Sequence, residues 1–333
     1  MNTIIFTIGL IALLIGSFTD LKKREVPDWV NFGLMFIGIG VSLLFSIISG
    51  NYFIILGSII GLTLMYALGS LMFYTGQWGG GDSKMLMGLG ALIGIPLFLP
   101  IKNIFMFWKA DLPFLFIFVI YIMVTGAFYG LLWSIGLAII HRKTFVKDIV
   151  ERLNTKKAKL IKYVLFGLSI VAVIILFLVD NLIFKLFPIW LTVLLVLLFY
   201  MYYFIKSIEK CCMIKLVEPE ELTEGEWINK DIYIDLKKGK AKIGKKTDKE
   251  VTKKLKAAKN VNTEEKARKE YICGPKDLGI SKEQIATLLK LKKSKIYTKK
   301  IEIKIGIPFV PSFLIAYLIS YFVGIGWIVV LLS

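Results

Sequence analysis

Residues 15–34 read IGSFTDLKKREVPDWVNFGL. An apolar run ends in Asp20, followed by Lys22, Lys23 and Arg24. Val26-Pro27 then breaks the chain direction, and a second apolar run begins at Trp29. A soluble amphipathic helix would carry polar residues on every turn. Here the polar residues are gathered into one short segment, and the flanking runs (residues 3–18 and 29–49) are apolar almost throughout. About 20 apolar residues cross the hydrocarbon core of a bilayer. The stretch therefore reads as the polar hinge between two membrane spans, and its basic residues place the hinge on the cytoplasmic side with the N-terminus outside.

The pattern repeats along the 333 residues. Further apolar runs cover 52–74, 85–99, 112–140, 163–179, 182–205 and 307–332. Hydrophobic residues make up 56% of the chain, and the mean hydropathy is +0.71. The expected fold class is an all-α polytopic membrane protein of about eight transmembrane helices with a small α+β cytosolic insert. A membrane β-barrel would show short alternating segments instead. The first run lacks a basic leader and a small-residue cleavage site, so it reads as a retained span and not a removable signal peptide.

Threading the spans alternately puts residues 19–28, 75–84, 141–162 and 206–304 on one side. Those segments hold all but three of the 42 Lys and Arg residues, the exceptions being Lys102, Lys109 and Lys185. The net charge of +18 is thus explained by sidedness. No nucleic-acid motif or interleaved aromatic pattern accompanies it, so the expected partners of the basic loops are anionic lipid headgroups, with no nucleic acid.

Three segments follow: a transmembrane domain over 1–205, a cytosolic insert over 206–304 and a C-terminal transmembrane helix over 305–333. In the insert, residues 227–235 and 299–304 alternate like strands. Ser281-Lys-Glu-Gln284 forms a capping box ahead of a short amphipathic helix. Residues 236–270 are Lys-rich and poor in aromatics, so part of that stretch is expected to be mobile. The insert either lies on anionic headgroups or presents substrate.

Several chemistries are disfavoured. The cysteines are Cys211, Cys212 and Cys273, with no CxxC pair. His141 is the sole histidine and has no cysteine or carboxylate cluster near it in sequence, which leaves little for a Ser-His-Asp or Cys-His mechanism. No metal and no cofactor is expected.

The carboxylates at span boundaries are more informative. Residues 77–90 read QWGGGDSKMLMGLG, which sets Asp82 beside an apolar span on the same predicted face as Asp20. Ionisable groups at membrane depth are costly and mark function. Two carboxylates facing each other would share one proton, giving an acid and a base for metal-free hydrolysis. Plainer readings stand beside this one. Asp82 can cap the next helix after a glycine turn. Asp20 can cap a turn or pair with Lys23 or Arg24. Gly306-Ile-Pro-Phe-Val-Pro311 reads as the proline-stiffened start of the last span.

Those same residues resemble the type IV prepilin and preflagellin (prearchaellin) peptidases, aspartyl membrane peptidases of the GxGD class, and among them the archaeal members. Asp20-Leu-Lys-Lys-Arg-Glu-Val-Pro27 is similar to the family's first aspartate motif. Gly79-Gly-Gly-Asp82, with Lys84 two residues on, is similar to its GxGD motif, and the spacing of the two aspartates matches. Gly274-Pro-Lys-Asp-Leu-Gly-Ile280 and residues 306–311 resemble a C-terminal region of an archaeal subset.

The resemblance implies a catalytic pair, Asp20 and Asp82, supported by Gly79, Gly81, Lys84 and Pro27. It also implies a precursor substrate, prepilin or prearchaellin, with a short basic leader ahead of a membrane helix. Glu25 and Asp28 are candidate leader contacts, or else solvated interfacial charges. The glycines would let the substrate backbone approach Asp82 and let the loop move, so that the aspartates meet only after a shift.

Departures also count. The four-cysteine element of bacterial relatives is missing, so methyl transfer is not expected, and the signatures of presenilin-like proteases are absent. The insert and extra spans exceed the six-span preflagellin pattern and tilt the substrate choice to prepilins. The rival readings are an ion-coupled transporter and a non-catalytic part of a filament assembly machine. Both aspartates sit at one membrane edge and no repeat is visible, whereas transporter sites lie near the midplane of repeated halves.

Overall fold

The computed structural model describes residues 2–95, 113–178, 181–235, 240–243, 269–294, 297 and 299–322. Among them, six helices are long and apolar enough to cross a membrane. They are α1 (Asn2–Lys23), α2 (Asp28–Ser49), α3 (Phe53–Tyr74), α5 (Phe114–Ile140), α7 (Lys156–Leu178) and α8 (Leu182–Cys212). The protein is a polytopic α-helical membrane protein with a small strand-containing insert.

The run expected to span at residues 85–99 forms α4, Gly80–Ile93, 14 residues long. At 1.5 Å per residue it is about 21 Å long, short of the roughly 30 Å hydrocarbon core. The last run is described as α10, Val310–Phe322. The segment after α5, expected as a loop, folds into the amphipathic helix α6, Arg142–Leu153.

By contacts the chain divides into two units, residues 1–133 with 306–333 and residues 134–305. In the first, α4 is enclosed by protein. Met85, Leu86 and Leu89 are fully buried within a core that also holds Leu13, Leu34, Phe118, Phe313 and Tyr317. Glycines let the helices meet at backbone distance, the usual device where lipid gives no hydrophobic drive to association. A Cβ on Gly61 of α3 would stand 2.4 Å from the Gly90 carbonyl oxygen, and one on Gly90 would stand 2.5 Å from that of Gly61. On α2, a Gly38 Cβ would meet the Leu92 backbone at 2.6 Å. The end of α4 is tied to α3 by Ile95 N–H donating to the Gly57 carbonyl at 3.0 Å. α10 packs along α1, where Phe6 stacks on Tyr317 with centroids 5.3 Å apart.

In the second unit α6 docks on α8. Phe145 meets Phe204 edge-on, and buried Asp148 accepts from Lys210 and Arg152. Among the described residues the insert holds two antiparallel three-stranded sheets. One has the order β1 (Ile214–Val217), β6 (Ile301–Lys304), β2 (Trp227–Ile228), and the other β4 (Lys240–Ile243), β3 (Ile232–Asp235), β5 (Lys269–Cys273).

The expected strand at 227–235 is thus two strands in different sheets. The expected capping box is present at the start of α9, Lys282–Lys293, where Ser281 and Gln284 exchange hydrogen bonds. Val217, Ile232, Cys273, Leu288, Tyr297 and Ile301 share the insert's core. The expectation of mobility over 236–270 falls mostly outside the described residues.

Candidate active site

Asp20 lies in the last turn of α1 and is only 5% exposed. The helix is closed by Arg24, whose backbone is left-handed (φ 58) and whose N–H bonds the Asp20 carbonyl at 2.8 Å. That conformation is uncommon outside glycine. It turns the chain sharply, and the Arg24 guanidinium donates to the Gly306 carbonyl ahead of α10. The Asp20 carboxylate accepts the Val310 N–H at 2.9 Å, a buried contact. The plain reading of Asp20 as a cap therefore has a structural counterpart, but the helix it caps is the last one described.

Val26 is buried and Pro27 leads into α2. Asp28, in the first turn of α2, suits the positive end of the helix dipole. Its carboxylate takes Lys84 Nζ at 2.6 Å, and Lys84 also lies over the Phe32 ring at 5.4 Å. Lys84 thereby fastens the start of α4 to the start of α2. Asp28 is already paired, whereas Glu25 is exposed.

Asp82 is the third residue of α4 and half-buried. Its carboxylate accepts the Gly79 N–H at 2.9 Å, so it caps its own helix from inside the first turn. Ser83 anchors the same turn to α3, with Oγ donating to the Gly69 carbonyl at 2.9 Å. The Asp82 carboxyl is pushed up first by burial and then by the negative charge of Asp20.

The Tyr129 hydroxyl of α5 is within electrostatic reach of Asp20 as well, and among the described residues it is buried without a partner. Sequence reading missed Tyr129, since a tyrosine inside an apolar run looks like core. No group of three or more His, Cys, Asp or Glu is placed to hold a metal among the described residues.

Packing does not require glycine at positions 80 and 81, whereas a Cβ on Gly79 would stand a tight 3.3 Å from Asp82 Oδ2. Gly79 is extended (φ −72), and the left-handed glycine of this loop is Gly76 (φ 71). A Cβ on Gly81 would lie 3.4 Å from Val26, and one on Gly80 would lie 3.7 Å from Phe73. Both are ordinary contacts, unlike the backbone collisions at Gly61 and Gly90.

Comparison with known proteins bears on this geometry. Residues 7–131 match the type IV leader peptidase family, and residues 190–303 match the archaeal peptidase A24 C-terminal domain. The first match covers less than half of the chain, and over it the chain is similar to the type IV leader peptidase family.

Three relatives named preflagellin peptidase are similar over part of their length. That of Methanocaldococcus jannaschii is 34% identical over 159 residues, which is 46% of this chain and 62% of the relative. That of Methanococcus voltae is 43% identical over 90 residues, 27% of this chain and 38% of the relative. That of Methanococcus maripaludis is 40% identical over 88 residues, 26% and 38%. The chain thus spans between 38 and 62% of the length of these relatives. Both aspartates fall inside the type IV leader peptidase match, whereas Val310, the donor to Asp20, lies beyond both matched regions.

Proposed function

We propose that the chain is an aspartic endopeptidase of the cell membrane that removes the short basic leader of prepilin-like or prearchaellin precursors. The observation that carries this reading is that Asp20, at the end of α1, and Asp82, in the first turn of α4, belong to one unit and both fall within a type IV leader peptidase match. The relatives' name, preflagellin peptidase, supports a prearchaellin-type substrate.

In this reading the pair holds one proton. The ionised carboxylate takes a proton from a water molecule as its oxygen attacks the scissile carbonyl carbon. The protonated partner gives its proton to the carbonyl oxygen, forming a tetrahedral diol. Collapse of the diol breaks the C–N bond. The proton held by the first aspartate passes to the leaving amine, and a diol hydroxyl returns the other.

The site and residues 206–304 face the cytoplasm, where the basic leader is retained. Exposed Glu25 is free to meet a basic leader residue, while Asp28 reaches one only by exchanging it for Lys84. In this reading the Val310 N–H holds Asp20 at rest, and substrate entry brings the aspartates into register.

Co-expression with a precursor carrying a basic leader, followed by gel analysis of leader removal, tests the proposal. Asp20→Asn and Asp82→Asn are each expected to abolish cleavage while still inserting in the membrane, and EDTA is expected to leave the wild type active. Normal cleavage by either variant, or inhibition by the chelator, would sink the dyad.

A further inference from the structure

α10 opens without a cap of its own. The four residues ahead of it, Gly306-Ile307-Pro308-Phe309, carry no side-chain acceptor, yet the first N–H groups of a helix have no partner within it. Asp20, 290 residues away in sequence, supplies the acceptor. Val310 N–H lies 2.9 Å from its Oδ2.

The same turn holds the other motif by its aromatic faces. Trp78, 6% exposed, directly precedes Gly79. Its ring sits 5.6 Å from that of Phe309 and 5.2 Å from that of Phe313. The Phe309 ring is backed by α5 at Gly126, where a Cβ would stand 2.4 Å from it. Arg24 fixes the carbonyl of Gly306. One turn of α10 thus touches both aspartate motifs, one by hydrogen bond and the other by ring packing.

We propose that residues 306–313 are a third part of the catalytic site, in which the Val310 N–H orients the Asp20 carboxylate while Phe309 and Phe313, through Trp78, set the position of the Asp82 loop. Val310 and Phe309 are positioning residues, since neither has to touch the substrate. This inference rests on the aspartyl-peptidase reading above. It assigns a role to a segment that neither family match includes.

The test compares cleavage of a basic-leader precursor by the full chain across pH, for wild type, Asp20→Asn, Asp82→Asn, Val310→Pro, Val310→Ala and Phe309→Leu. Val310→Pro removes the N–H at a helix position that accepts proline, and Val310→Ala serves as the control for the altered buried side chain. It is expected to lower kcat about tenfold or more, the worth of a hydrogen bond to a charged group, with KM changed by less than about twofold. The acid limb of its pH profile moves to higher pH, since a donor to the charged carboxylate is gone.

Val310→Ala keeps the N–H and is expected to keep the wild-type profile. Phe309→Leu keeps the backbone but loses the ring, and is expected to lower kcat and alter the profile. Coincident profiles for Val310→Pro and Val310→Ala would overturn the inference. If Val310→Pro fails to insert, Phe309→Leu decides, and wild-type kcat and profile in that variant would overturn it. Normal cleavage by Asp20→Asn overturns the underlying reading. Inactive aspartate variants beside wild-type-like Val310→Pro and Phe309→Leu overturn only this one.

Discussion

At the scale of single residues, the two glycine populations of the first unit have different duties. Gly61 and Gly90 are needed because a Cβ would strike backbone. Gly81 is not, because a methyl group there meets Val26 at ordinary contact distance. Gly81→Ala is therefore expected to insert and fold as the wild type does, with stability unchanged or raised by up to about 1 kcal/mol, since alanine is the better helix residue. If the glycine serves the approach of a peptide backbone, cleavage falls about tenfold or more. A thermal melt of the purified protein and a leader-removal assay separate the two effects.

Both aspartates were visible in the sequence as charges at the edges of apolar runs. The donors that hold Asp20 were not, because Val310 acts through its main chain and its side chain reads as one more apolar residue. The signal that was available is the missing cap. A helix opening after Gly-Ile-Pro-Phe needs an acceptor from elsewhere, and few buried carboxylates compete for the post.

At the scale of elements, α4 and α6 are where periodicity alone fell short. Residues 85–99 read as a full span, but α4 starts at Gly80 and its helix is described only to Ile93. Enclosed by α2 and α3, it does not depend on bilayer length for burial. α6 escaped notice because its charges resemble those of a loop. Its docking depends on Asp148. Burial pushes the Asp148 carboxyl up, but hydrogen bonds from Lys210 and Arg152 outweigh this and hold it below its ordinary 3.8.

A carboxylate held low stabilises the fold fully above its ordinary pKa, and the contribution fades as pH falls through the lower folded value. The α6–α8 contact is thus expected to lose roughly 1–3 kcal/mol in acid, read as faster hydrogen exchange in α6. Asp148→Asn should show fast exchange at neutral pH and little further change in acid.

At the scale of the whole molecule, composition and charge asymmetry were enough for the class of protein. Six long apolar helices in the described residues agree with it, and so do strands confined to the insert. How the strands pair was not legible. β1 and β2 both join β6 from far along the chain, and a local pattern carries no record of that.

Sidedness is open to direct measurement. Asn51, in the turn between α2 and α3, lies at the end of α2 away from Asp28 and Lys84. A cysteine at Asn51, in a chain with Cys211 and Cys212 replaced by serine, is expected to react with a membrane-impermeant thiol reagent from outside the cell. Cys273 should stay silent, because burial pushes its thiol up to about 12. Labelling of Asn51→Cys only after the membrane is opened would reverse the orientation.

The bond from Val310 to Asp20 also sets a clock on biogenesis. Asp20 is made early, and the N–H it accepts belongs to a residue 290 positions later. Until α10 has been made and has settled beside α1, Asp20 lacks this donor and the Arg24 side chain lacks the Gly306 carbonyl. If the turn of α10 is needed for cleavage, the nascent chain cannot cut anything while it is still being threaded into the bilayer. The surroundings of Asp20 are thus finished only once a segment made 290 residues later is in place.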